Sequence, residues 1–82
     1  MPRRRRPTDE QILEAIVDLA DDGFCDRRDL VPRLPGFGER ELMKSLARAA
    51  RRNLILERQA PDGRTYVALT SEGWNVLRQR AC

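Results

Sequence analysis

Hydrophobic positions recur along this chain with two different periods, and the change of period divides it. In "TDEQILEAIVDLADDG", residues 8–23, Ile12, Ile16 and Leu19 return every three or four residues, and Leu13, Val17 and Ala20 widen the stripe. That spacing predicts an amphipathic helix facing a core. Thr8 stands where a side chain caps the first turn, and Gln11 three residues on completes a capping box. Asp9 and Glu10 suit the positive end of the helix dipole, and Gly23 fits a left-handed cap at the far end.

A shorter periodic stretch follows in "DRRDLVPRLPG", with Asp26 as cap and Leu30, Val31 and Leu34 as its buried side. Pro32 removes a backbone donor there, so the helix is expected to be short or kinked. "PGFG" then forces a turn. The third helix is "ERELMKSLARAARRN", with Leu42, Met43, Leu46, Ala47 and Ala50 on its apolar side. Arg40, Lys44, Arg48 and Arg51 or Arg52 are spaced to form one basic stripe opposite. Asn53 can close this helix in the left-handed conformation.

Beyond Asn53 the texture becomes β-prone. "LILER" and "TYVAL" are rich in β-branched and apolar residues, and Pro61-Asp62-Gly63 supplies turn chemistry between them, which predicts a hairpin. "TSEGWNVLRQR" restarts a helix, capped by Thr70 or Ser71, with Trp74, Val76 and Leu77 placed to pack back and Gly73 weakening its first turn. The expected order is helix, helix, turn, helix, hairpin, helix: mainly α with a small β-hairpin. One domain, residues 8–80, follows an Arg-rich arm at 1–7 that is expected to be disordered.

Composition narrows the function. Eighty-two residues with 40% apolar content build one small core. No run approaches the roughly 18 apolar residues of a membrane span, and no apolar segment follows "MPRRRRP", so a soluble cytoplasmic protein is expected. Histidine is absent and the two cysteines are Cys25 and Cys82, so neither metal nor cofactor is expected. Cys25 reads as a small core or loop residue and Cys82 as a free thiol. Acid–base pairs, nucleophile arrangements and a Gly-rich phosphate loop are all missing, which argues against an enzyme.

Charge changes the picture more by placement than by its total of +3. Residues 8–23 hold six acids and no base, whereas residues 48–82 hold seven arginines against three acids. One negative and one positive end are expected, as in a protein that meets nucleic acid with one face.

Three pieces of the sequence, taken in order, resemble winged helix-turn-helix domains of the MarR and PadR type. They are Asn53-Leu54-Ile55, Asp62-Gly63-Arg64 and Leu69-Thr70-Ser71-Glu72-Gly73, which follow the pattern of recognition-helix exit, wing tip and start of the last helix. Pro32 and Asn53 depart from the usual pattern, and the long dimerisation helices of full-length MarR proteins are not in the sequence. The resemblance implies a three-helix core, a β wing, a C-terminal helix and contact with double-stranded DNA, without small-molecule sensing.

On that reading Arg40 and Lys44 reach base edges in the major groove, with Ser45 as an adaptable hydrogen-bonding neighbour. Arg48, Arg51 and Arg52 meet phosphates. Arg58 and Arg64 belong to the wing; an ion pair of Arg64 with Asp62 or Glu57 is the plainer alternative for that residue. Arg3, Arg4, Arg5 and Arg6 would track a minor groove or hold phosphates nonspecifically. Glu39 and Glu41 suit the helix start. Trp74 and Tyr66 are expected in packing rather than base stacking. A homodimer or a larger protein partner is expected, with a terminal helix as seam. The rival class is a protein-docking winged helix that uses the acidic surface of helix 1.

Overall fold

The computed structural model describes the backbone of residues 6–81 and the side chains of 6–79. Its first helix, α1 (Asp9–Leu19), starts at the expected capping box. Thr8 Oγ1 accepts the Gln11 amide at 3.1 Å, and Gln11 Oε1 accepts the Thr8 amide at 2.9 Å. Two amide donors that a helix start leaves over are thereby satisfied. Ile12, Leu13, Ala15 and Ile16 are buried. The helix ends four residues before Gly23, because Ala20 is extended and the Gly23 amide closes a tight turn onto the Ala20 carbonyl at 2.9 Å. Gly23 is left-handed, at φ +75°, but in this turn rather than as a helix cap.

That turn feeds β1 (Phe24–Asp26), a strand that the hydrophobic pattern does not announce. Asp26 Oδ1 then accepts the Arg28 amide at 2.9 Å and caps a 3-10 turn, Arg27–Asp29, which runs into α2 (Leu30–Arg33). With Pro32 inside it, α2 is one turn long, the short helix expected. Leu30 is buried, and Val31 and Leu34 are half-buried.

Next comes α3 (Glu39–Arg51), beginning at Gly38. Its end is well defined: Asn53 is left-handed at φ 64°, its amide bonds the Ala50 carbonyl, and the Leu54 amide bonds Ala49. These are the two bonds of a Schellman closure, as expected for Asn53. The buried side of α3 is Glu41, Leu42, Ser45, Leu46 and Ala49. Ala47, expected on the apolar side, is exposed, while Met43 and Ala50 lie half-buried at its margins.

β2 (Ile55–Gln59) and β3 (Thr65–Leu69) form the expected hairpin, with Gly63 at φ +88° in its turn. The hairpin is part of a three-stranded antiparallel sheet of order β1-β3-β2. This corrects the expectation of a hairpin alone. β1 is only three residues long, and its ladder partner β3 lies far along the chain, so local periodicity carries no trace of it. Cys25, Ile55 and Val67 enter the core with Leu13, Ile16, Leu42 and Leu46. Each such fully buried aliphatic contributes about 1.5–3 kcal/mol.

The last helix, α4 (Ser71–Ala81), is fastened to the exit of α3. The Thr70 hydroxyl donates to the Asn53 carbonyl and accepts the Gly73 amide at 3.2 Å, and the Thr70 amide bonds the Leu54 carbonyl at 3.1 Å. A Cβ at position 73 would overlap the Leu54 carbonyl oxygen, so glycine is required there for the approach of two backbones. Trp74 is half-buried beside Gly23, and Val76 and Leu77 pack partly buried against the core. The chain is thus a mainly α domain with a small sheet. Among the described residues no helix is long and apolar enough to cross a membrane.

Candidate functional site

The basic residues of α3 do not form one stripe. Arg40, Lys44 and Arg51 are exposed on its outward side, with Ala47 between them. Among the described residues none of these three cations has an acid within ion-pair distance. A hollow of about 620 Å³, open to solvent, lies over this side, lined by Glu39, Arg40, Met43, Lys44 and Ala47. Its apolar floor of Met43 and Ala47 is framed by charge.

Arg48 and Arg52 lie on a different flank, turned to the start of α1. The Arg48 guanidinium donates from Nη2 to the Pro7 carbonyl at 3.2 Å, and its Nε faces Asp9 Oδ1 at 3.6 Å. Arg52 Nη1 meets Asp9 Oδ2 at 2.6 Å. Asp9 is only 17% exposed, so both arginines close on a carboxylate largely shielded from water. These pairs set one acid of the acid-rich segment, Asp9, among the cations of α3. Spacing places Arg48 one helical step from Lys44, but the crossing of α1 over α3 decides its partner.

Ser45 is corrected outright. It is 1% exposed, on the core side of α3, and its hydroxyl has no hydrogen-bond partner among the described residues. A sequence pattern of Leu42, Leu46 and Ala49 at three- and four-residue steps, with Ser45 between them, carried the signal. Glu41 is also buried, and Arg6 meets it at 3.4 Å from Nε. Pro7 is fully buried, so Arg6 and Pro7 belong to the folded body rather than to an arm. The position of Pro7, one before the cap, is where an apolar residue fixes the entry of the chain into a helix. Arg3, Arg4 and Arg5 lie outside the described residues.

On the hairpin, Arg64 is exposed beside the turn. Its amide donates to Asp62 Oδ1 at 3.1 Å, and its Nε stands 3.6 Å from Asp62 Oδ2, the plainer of the expected roles. A hydrogen bond with Tyr66, followed by the charge of Asp62, raises the Arg64 pKa further above its ordinary value. An arginine guanidinium is a permanent cation whatever its surroundings. Glu57 pairs with Arg27 at 3.6 Å instead of Arg64. Arg58 is exposed opposite Tyr66, farther from the tip. Tyr66 stacks on Phe24, with ring centroids 5.3 Å apart and planes within 8°, which places it in packing as expected.

Cys25 is buried behind β1, and burial first, then Asp29, Asp26 and Asp22, push its thiol up to about 11. It is a core group whose thiol stays protonated at neutral pH. No group of acids and cysteines capable of holding a metal occurs among the described residues. The chain matches no protein-family model, no curated protein and no solved structure.

Proposed function

We propose that the chain is a winged-helix module that binds double-stranded DNA, with the outward side of α3 in the major groove and the hairpin tip beside it. What supports this reading most is the line of three cations, Arg40, Lys44 and Arg51, without an ion pair among the described residues, on one exposed side of a thirteen-residue helix. A helix of that width fits the groove. Residues near its N-terminal half reach bases, and later ones reach phosphates. Arg40 and Lys44 are then base-edge groups and Arg51 a phosphate group. Small Ala47 between them lets the helix lie deep. Arg64 at the hairpin is a second cation for the backbone, released from Asp62 at little expense because that pair is exposed.

The test is anisotropy of a labelled mixed-sequence duplex titrated at several salt concentrations. Affinity falls linearly with salt on logarithmic axes as counterions are released. The double variant Arg40→Glu/Lys44→Glu binds at least about 30-fold more weakly with an unchanged melting temperature. Wild-type affinity in that variant overturns the proposal.

A second reading, docking of a basic protein partner, is favoured by a hollow of about 190 Å³ between α1 and α2. Gln11, Glu14, Asp18 and Arg33 line it, and Asp21 and Asp22 are exposed in the turn after α1. Failure of the duplex to bind at any salt concentration selects this reading.

A further inference from the structure

Among the described residues Phe24 and Leu56 are the two large apolar side chains most open to solvent, each 49% exposed. They share one face of the sheet. Phe24 lies opposite Ala68 and Ala68 opposite Leu56; two residues along, Asp26 lies opposite Tyr66 and Tyr66 opposite Arg58. Cross-strand partners, and residues two apart on one strand, point to the same side of a sheet. The outer face therefore carries two rows across β1, β3 and β2, Phe24–Ala68–Leu56 and Asp26–Tyr66–Arg58, and beyond them, toward the hairpin tip, Arg64 beside Tyr66, its charge flanked by Asp62. Cys25 and Val67 point the other way, into the core.

We propose that this face is the seam of a homodimer whose two-fold axis runs along β3. A half-turn about the central strand lays β1 of one copy over β2 of the other. Phe24 then meets the partner's Leu56, and Asp26 meets the partner's Arg58, each contact occurring twice. Ala68 and Tyr66 fall on the axis. An isologous seam requires a surface complementary to itself, and both rows satisfy that requirement. Asp26 uses one carboxylate oxygen on the Arg28 amide and keeps the other, while Arg58 has no acid partner among the described residues. Two other surfaces fail the same test. The outward side of α3 is cationic and the outer side of α1 is acidic, so each repels its own copy. The proposal uses no α3 residue and does not depend on DNA contact.

Three short strands make a small seam, so dissociation in the range of roughly tens of micromolar is expected. Sedimentation equilibrium of the full chain in a Cys82→Ser background, from about 5 to 500 µM, reads it. The expected result is a monomer–dimer equilibrium that Leu56→Lys abolishes and Arg58→Asp weakens at least about fivefold, with unchanged circular dichroism. Stacked sheets lie about 10 Å apart, so a short bismaleimide cross-links Ala68→Cys protein to its own copy. A chain that stays monomeric throughout overturns the proposal. So does a dimer that survives Leu56→Lys, or one that the Ala68→Cys reagent fails to capture. Growth past the dimer, the sign of α1 meeting α3 head to tail, overturns it as well.

Discussion

The two cationic sides of α3 are both built from basic residues at helical spacing, yet they have different fates. On the outward side Arg40, Lys44 and Arg51 face solvent with no acid within ion-pair distance among the described residues. On the flank, Arg48 and Arg52 are closed onto Asp9, and Arg48 also reaches the Pro7 carbonyl. The difference arises outside α3, from the single carboxylate that α1 sets opposite one flank. A helical wheel counts five cations available to an anionic partner; the folded chain offers three and uses two as fasteners between helices.

The largest expected effect comes from reversing a fastener. Arg48→Glu places a second carboxylate beside a poorly hydrated Asp9, and stability falls by about 2–4 kcal/mol. In a chain of this size that lowers the melting temperature by roughly 10–25 °C, read by circular dichroism. An unchanged melting curve would mean that the flank is no different from the outward side. Freeing both arginines is milder. Asp9→Asn costs about 1 kcal/mol of stability but raises duplex affinity about two- to fivefold, because Arg48 and Arg52 become available to phosphates. Equal or lower affinity by anisotropy would show that the flank never reaches the duplex.

Smaller still is Arg51→Gln, which removes one outward cation. It flattens the slope of log affinity against log salt by about 0.9, with no change in melting temperature. The same substitution at Arg52 shifts the melting temperature and leaves the slope alone. An alkaline titration adds a reference point in the core, at Cys25. Its thiol ionises near 9 when unfolded but only near 11 when folded, so stability is intact below pH 9 and lost between 9 and 11. The loss is about 2–3 kcal/mol, and Cys25→Ala removes it, as denaturant melts across that range would record.

Legibility in the sequence followed the range of the interaction. The Thr8–Gln11 capping box, the left-handed Asn53, the one-turn helix around Pro32 and the turn at Gly63 depend on residues within a few positions of one another, and all were readable. β1 was not, because "FCD" is a strand only through pairing with β3. The candidate site was half readable for the same reason. Composition and spacing located the cations of α3, but Ser45 turned inward because the core-facing arc is centred on Leu42 and Ala49 rather than Ala47. Nothing in the spacing of Arg48 and Arg52 announces Asp9, since that pairing is set by the angle at which two helices cross.

The bond network around Thr70 has a mechanical consequence. By tying the Asn53 carbonyl to the Gly73 amide, and its own amide to Leu54, Thr70 acts as a clasp at the root of the hairpin. The two strands cannot part at that end without also loosening α4. Any breathing is pushed outward to Asp62–Arg64, where no atom lies within 4 Å of a side chain added at Gly63. Amide hydrogens should accordingly exchange in a gradient, slowest at Leu54 and Thr70 and fastest at the tip, so that the hairpin swings like a reed clamped at its base.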